Sequence, residues 1–140
     1  MGLDMRLICP DGYEIEWSKQ AHMVHDWFRE RIIHEGKNLY DPYEGEECEF
    51  TGREPLPLAE LCRHVLEEPE EAPSLMPTTY VYDSEERRLM ARTLQEQRQE
   101  PERYLYRRGY FDEIRRTLEF LEWALGHYAP DATFLYWTSW

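Results

Sequence analysis

The chain has 140 residues, 29 Asp and Glu against 16 Lys and Arg, and a formal charge of -13. Leu, Ile, Val and Phe make up only about one fifth of it, near the composition of disorder, but five Trp and ten Tyr supply the large apolar surfaces a disordered acidic tail lacks. The totals describe one folded, strongly acidic domain over residues 1–140, long enough to bury about two thirds of its extended surface without metal or disulfide.

Met5-Arg6-Leu7-Ile8-Cys9, the punctuation Pro10-Asp11-Gly12 and the alternating Tyr13-Glu14-Ile15-Glu16-Trp17 predict a β-hairpin with Tyr13, Ile15 and Trp17 toward the core. Ser18 can cap a helix over 19–35, whose apolar face is Ala21, Val24, Phe28 and Ile32, widened by Met23 and Trp27, with Gly36 as its stop. The polar stretch after it, through Asn38, Asp41, Pro42, Gly45 and Gly52, reads as loop. From Pro57, Leu58, Leu61, Cys62, Val65 and Leu66 have helical spacing, and Glu67 to Pro73 breaks the pattern. The acidic stretches 37–56 and 67–77 therefore read as flexible connectors.

Thr78 to Tyr82 favours an extended conformation, and Asp83 or Ser84 is placed to cap a third helix with Leu89, Met90 and Leu94 on its apolar side. Pro101 ends or restarts it, and Glu102 to Arg108 is a short helical or extended link. The strongest periodicity is Phe111, Ile114, Leu118, Leu121, Leu125 and Tyr128, predicting a helix over 110–127 whose buried arc also takes in Phe120, Trp123 and Ala124. Thr133 to Trp140 has high strand propensity and is expected to pair beside the hairpin. The sum is an α+β fold, a small, mostly antiparallel sheet of hairpin and C-terminal strand covered by three to four helices.

Charge is uneven. Residues 37–86 carry 3 basic and 14 acidic side chains, residues 87–116 carry 9 and 5, and residues 117–140 carry no Lys or Arg and 3 acidic groups. Either the basic segment folds against the acidic one and cancels it, or one patch stays available to a partner.

No catalytic, metal or cofactor constellation stands out. His22-x-x-His25 lies near Glu30 and Glu35, but His34 is more than two turns beyond His25 and no His-Glu-x-x-His is present. Glu44, Glu46, Glu47 and Glu49 lack the ligand spacing of a calcium loop, and no Gly-rich phosphate loop appears. Cys9, Cys48 and Cys62 have no Cys-x-x-Cys spacing and read as reduced thiols, Cys48 in the acidic loop and Cys62 in a helix. Ser18 and Ser84 suit helix caps better than nucleophiles. No window reaches the roughly 18 apolar residues of a membrane span, and Met1 to Gly12 lacks the pattern of a signal peptide, so a cytoplasmic protein without membrane contact is expected.

Two segments suit partner binding. Glu46, Glu47, Glu67, Glu68, Glu70 and Glu71 form an acidic surface for a basic protein, or, if held rigidly, an imitation of a phosphate backbone. Arg103, Tyr104, Tyr106, Arg107, Arg108 and Tyr110 combine directional donors with broad contact area, as interface residues do, while the net charge argues against direct nucleic-acid binding. The expected function is a small acidic protein-binding module, an inhibitor, antidote or regulator. The alternatives are a small enzyme whose Arg107, a histidine and a shielded carboxylate converge in a pocket, or a structural and assembly protein.

Overall fold

The computed structural model describes residues 4–17, 21–34, 46–51 and 53–139. They form an α+β fold with two antiparallel sheets. The first contains β1 (Asp4–Ile8), β2 (Glu14–Trp17), β3 (Glu46–Thr51) and β7 (Thr133–Ser139) in the order β2-β1-β7-β3. The second contains β4 (Tyr80–Asp83), β5 (Arg88–Ala91) and β6 (Tyr104–Leu105) in the order β5-β4-β6. The helices are α1 (His22–His34), α2 (Leu56–Glu67), the short α3 (Ala72–Leu75), α4 (Leu94–Gln99) and α5 (Arg108–His127), with a 3-10 turn at Pro69–Glu71 before α3.

The hairpin forms as its alternation requires. Met5 stands opposite Trp17 and Leu7 opposite Ile15, and all four are buried. Gly12 turns the chain at φ +93°, a conformation that an L side chain adopts only with strain, and its N–H donates to the Cys9 carbonyl (3.0 Å). Tyr13 departs from expectation: it ends the turn and is 67 % exposed.

Register carries the buried face across the whole first sheet. Leu7 pairs with Tyr136, Tyr136 with Cys48, and Phe134 with Phe50, so these side chains share the face of Met5, Ile15 and Trp17. Residues one step out of phase face away, where the Arg6 guanidinium lies 4.9 Å from the Trp137 ring and reaches Glu14 (4.0 Å) and Glu16 (3.7 Å). A sheet with one apolar and one polar face is the arrangement the period-two pattern demands.

Helices cover the apolar face. From α1, the Phe28 ring stacks on Tyr136 (4.1 Å) and meets Phe50 (5.2 Å) and Trp17 (6.0 Å). From α5, Ile114 and Leu121 are buried, and Thr117 Oγ1 accepts the Trp17 indole N–H (2.7 Å) while donating to the Glu113 carbonyl (2.7 Å). The same Trp17 thus touches α1 and α5. Helix α2 packs on α5 through Leu58, Cys62 and Val65, and Arg63 meets Glu122 (3.1 Å) at the edge of that contact. The C-terminal strand lies beside the hairpin as expected, but centrally, between β1 and β3.

Three sequence expectations are corrected. The stretch read as loop over 37–56 contains β3, because Cys48 and Phe50 alternate inward and β7 supplies a pairing edge. Residues 67–77 contain the 3-10 turn and α3, with Ala72 buried against the core. The helix expected from Asp83 is a hairpin: Tyr82 pairs with Leu89 and Asp83 with Arg88 across a turn in which Arg87 has φ 57°. Helix formation waits until Thr93, the N-cap, whose hydroxyl accepts the Glu96 N–H (3.1 Å) and donates to the Glu96 carboxylate (3.1 Å). Ser18 and Gly36, the expected cap and stop of α1, lie outside the described residues.

Candidate functional site

About half of the Arg103–Tyr110 segment is drawn into the fold. Asp83 is fully buried at the end of β4, and Arg103 forks onto it, Nε to Oδ1 and Nη2 to Oδ2, each at 3.0 Å. Arg92 Nη2 adds a bond to Oδ2 (3.3 Å), and the backbone N–H groups of Glu85 (2.9 Å) and Glu86 (3.1 Å) donate to Oδ1. Hydrogen bonding to Arg103, the largest influence, holds this carboxyl well below the usual carboxylate range, and Arg103 is correspondingly raised. Tyr104 is buried beneath the Arg92 and Arg103 guanidiniums, 5.7 and 5.3 Å from its ring.

Tyr106 donates to Gln97 Oε1 (2.7 Å), and Gln97 Nε2 donates to the Thr78 (2.7 Å) and Arg92 (3.1 Å) carbonyls. Tyr110 is buried and donates to the Met76 carbonyl (2.7 Å); burial pushes the hydroxyls of Tyr106 and Tyr110 up. Arg107 and Arg108 remain at the surface, Arg107 5.8 Å from the Tyr82 ring and Arg108 3.8 Å from Asp112.

Glu67, Glu68, Glu70 and Glu71 are exposed around the C-terminal end of α2 and the turn after it. Glu71 is paired with His64 Nε2 (2.6 Å). Glu68 and Glu70 lie close enough to share a hydrogen bond, which raises the Glu68 carboxyl; Glu70 is lowered by its own backbone N–H and by that bond. Glu46 and Glu47 have their backbone in β3, opposite Thr138 and Trp137, and their side chains lie outside the described residues.

The pairing pattern divides the two charge expectations. Arg92, Arg103, Arg108, Arg115 and Arg116 are met by carboxylates of 83–113: Asp83, Glu85, Glu96, Glu100, Asp112 and Glu113. Compensation within the basic segment is therefore local. Among the described residues no cation pairs with Glu67, Glu68 or Glu70.

A cleft of about 450 Å³ lies between α1 and the second sheet, lined by Asp26, Thr78, Arg92, Glu96 and Gln97 together with apolar Pro77, Ala91 and Leu94. Burial raises the Asp26 carboxyl. Arg107 and the histidines are absent from the lining, and Arg92 is held by Asp83, so the constellation required for the enzyme alternative does not form in this cleft. The cysteines are all buried and none forms a disulfide; burial pushes the Cys62 thiol up to about 12 and raises Cys9. Cys48 lies inside the sheet rather than in a loop. Among the described residues no three His, Cys, Asp or Glu side chains converge on a point where a metal would sit, and no helix is long and apolar enough to cross a membrane.

His25 faces inward from α1, its Nδ1 2.6 Å from Tyr136 Oη. Burial lowers its pKa to about 4, with Arg29 and His22 adding repulsion. Its ordinary value is near 6.5, so the unfolded chain takes up a proton that the native state refuses. The resulting stability is complete above pH 6.5 and is lost as pH falls toward 4. Discounted for solvent relaxation, the loss attributable to His25 is about 2 kcal/mol. His25→Gln is expected to flatten the stability profile in that window, measured by urea unfolding from pH 7 to 4; a slope identical to wild type would remove His25 as its source.

A feature absent from the sequence expectations lies at the hairpin tip. Trp123, placed in the buried arc by its spacing, is 44 % exposed, and its ring is 5.9 Å from that of Tyr13. His127 stacks on Trp123 at 4.9 Å, with Phe120 at 6.0 Å and Tyr128 at 5.7 Å. Tyr128 anchors the cluster to the core through Phe134 (5.6 Å) and to the hairpin by donating to Asp11 Oδ1 (2.5 Å). The i, i+4 pair Trp123 and His127 is legible on one helix stripe, but Tyr13 reaches it from 110 residues away. Comparison of the chain with protein-family models, curated proteins and solved structures returns no match.

Proposed function

We propose that the chain is a small acidic protein-binding module, acting as an inhibitor, antidote or regulator of a partner with a basic surface. The observation that carries this reading is the turn at Glu67–Glu71. Like charges crowd there with no cation paired to Glu67, Glu68 or Glu70 among the described residues, while Arg92, Arg103, Arg108, Arg115 and Arg116 are engaged by nearer carboxylates. The turn follows the C-terminus of α2, where the helix dipole adds negative potential. An approaching cationic surface relieves that repulsion, which favours fast, salt-sensitive association. A cytoplasmic setting is part of the proposal and suits three buried thiols that form no cross-link.

The test is capture from a native lysate, followed by association kinetics of the captured protein at 50 and 300 mM salt. A basic partner bound stoichiometrically is expected, with an association rate that falls about tenfold over this range. The triple substitution Glu67→Gln, Glu68→Gln, Glu70→Gln is expected to slow low-salt association by a similar factor and to leave little salt dependence. Failure to retain any stoichiometric protein partner, or a rate indifferent to salt and to the triple substitution, counts against the reading.

A further inference from the structure

We propose that the Tyr13–Trp123 platform is the seat of an arginine side chain presented by the basic partner. This inference rests on the protein-binding reading above and names the contact that supplies its specificity. Elsewhere the chain provides its own guanidinium to aromatic rings: Arg6 to Trp137 (4.9 Å), Arg31 to Trp27 (5.0 Å) and Arg107 to Tyr82 (5.8 Å). Among the described residues no arginine lies over Tyr13 or Trp123, although these are among the most exposed rings there, at 67 % and 44 %.

The surroundings select a cation. Residues 117–140, which carry Trp123, His127 and Tyr128, contain no Lys or Arg. Glu119 stands one helical turn before Trp123 on α5, is exposed, and has no ion-pair partner among the described residues, whereas Glu122 is already met by Arg63 (3.1 Å). A planar guanidinium can stack on the Tyr13 and Trp123 rings while its N–H groups reach the Glu119 carboxylate, a combination a lysine ammonium does not offer. The platform is also held ready, since Tyr128 ties α5 to the hairpin at Asp11 and to the core at Phe134. An anchor already in place loses little side-chain entropy on binding.

The probe is a short Gly-Arg repeat peptide, with Gly-citrulline and Gly-Lys repeats of equal length as controls, titrated into ¹⁵N-labelled protein. The arginine peptide is expected to shift the Trp123 indole N–H and the Tyr13 amide. The citrulline peptide is expected to leave both unmoved, and the lysine peptide to bind about threefold more weakly. Trp123→Ala and Tyr13→Ala, both at exposed positions with melting temperatures serving as the check on folding, are each expected to weaken arginine-peptide binding about tenfold. The Glu67/Glu68/Glu70→Gln triple substitution should leave the Trp123 shift in place. Shifts confined to the 67–71 turn, with binding unchanged in Trp123→Ala, overturn the platform but leave the acidic-module reading standing. No shift at either place overturns both.

Discussion

Phe28→Ala is expected to lower the unfolding free energy by about 3–5 kcal/mol, more than any other single substitution of α1. Phe28 is fully buried and joins three strands to the helix: its ring stacks on Tyr136 of β7, meets Phe50 of β3 edge-on, and touches Trp17 of β2, with Trp27 of its own helix 5.0 Å away. Removing the ring loses its transfer free energy and leaves a cavity among rigid aromatic neighbours, which cannot collapse into it as flexible side chains would. Urea unfolding measures the loss. Hydrogen exchange should show α1 amides losing protection first. A cost below about 1 kcal/mol would mean that α1 does not hold this sheet face together.

Asp83→Asn is expected to open the second sheet while the first persists. The substitution keeps the shape and removes the charge that both Arg92 and Arg103 address, leaving two partly buried guanidiniums facing an amide. Arg103 is the tie from Asp83 to β6, and its backbone carbonyl accepts the Ser84 N–H (2.9 Å), so weakening it frees the β4–β6 contact. A fall in Tm on the order of 10 °C is expected, with exchange protection lost over 80–105 and retained in β1, β2, β3 and β7. The Asp83 carboxyl is lowered in the native state, so its contribution is present above the unfolded value near pH 4 and is lost as pH falls below that. Wild type should therefore show an acid step below pH 4 that Asp83→Asn lacks, separate from the His25 step between pH 6.5 and 4. Equal protection of 80–105 in both proteins would show that the ion cluster does not hold the sheet.

The elements legible in the sequence are those whose pattern is local. The hairpin alternation, the Ala21–Val24–Phe28–Ile32 stripe and the 3,4 spacing through Ile114 and Leu121 each repeat within one element, and each forms. Strand β3 carried the same information in a weaker form. Cys48 and Phe50 alternate with glutamates, but a run of acidic residues reads as loop until β7 offers a partner. At Asp83 the local chemistry is real and its outcome different. Its carboxylate does accept two N–H groups just downstream, as an N-cap would, yet the chain turns into β5 because Arg103, 20 residues on, fixes Asp83 at a strand end.

The same division holds for the surfaces. Glu67, Glu68, Glu70 and Glu71 are exposed where their composition placed them, while half of the Arg103–Tyr110 segment went into the interior because Asp83, Gln97 and the Met76 carbonyl lay within reach of its polar tips. Trp123 and Tyr13 moved the other way. Each sat on an apolar pattern that pointed inward, but Tyr13 stands just before β2 and Trp123 lies on the stripe of α5 where Tyr128, packed on Phe134, stands between it and the core.

By itself the sequence determined the α+β class, the hairpin, the positions of α1, α2 and α5, the terminal strand and the excess of acid in 37–86. All follow from periodicity, propensity and charge, which act between near neighbours. Only the tertiary structure decided that β3 and a second sheet exist, which arginines are already neutralised, and that an exposed pair of rings stands without a guanidinium among the described residues. The Asp83–Arg103 tie, the seating of β3 on β7 and the ring pair depend on contacts between residues 20 to 110 positions apart, whose geometry no local pattern records.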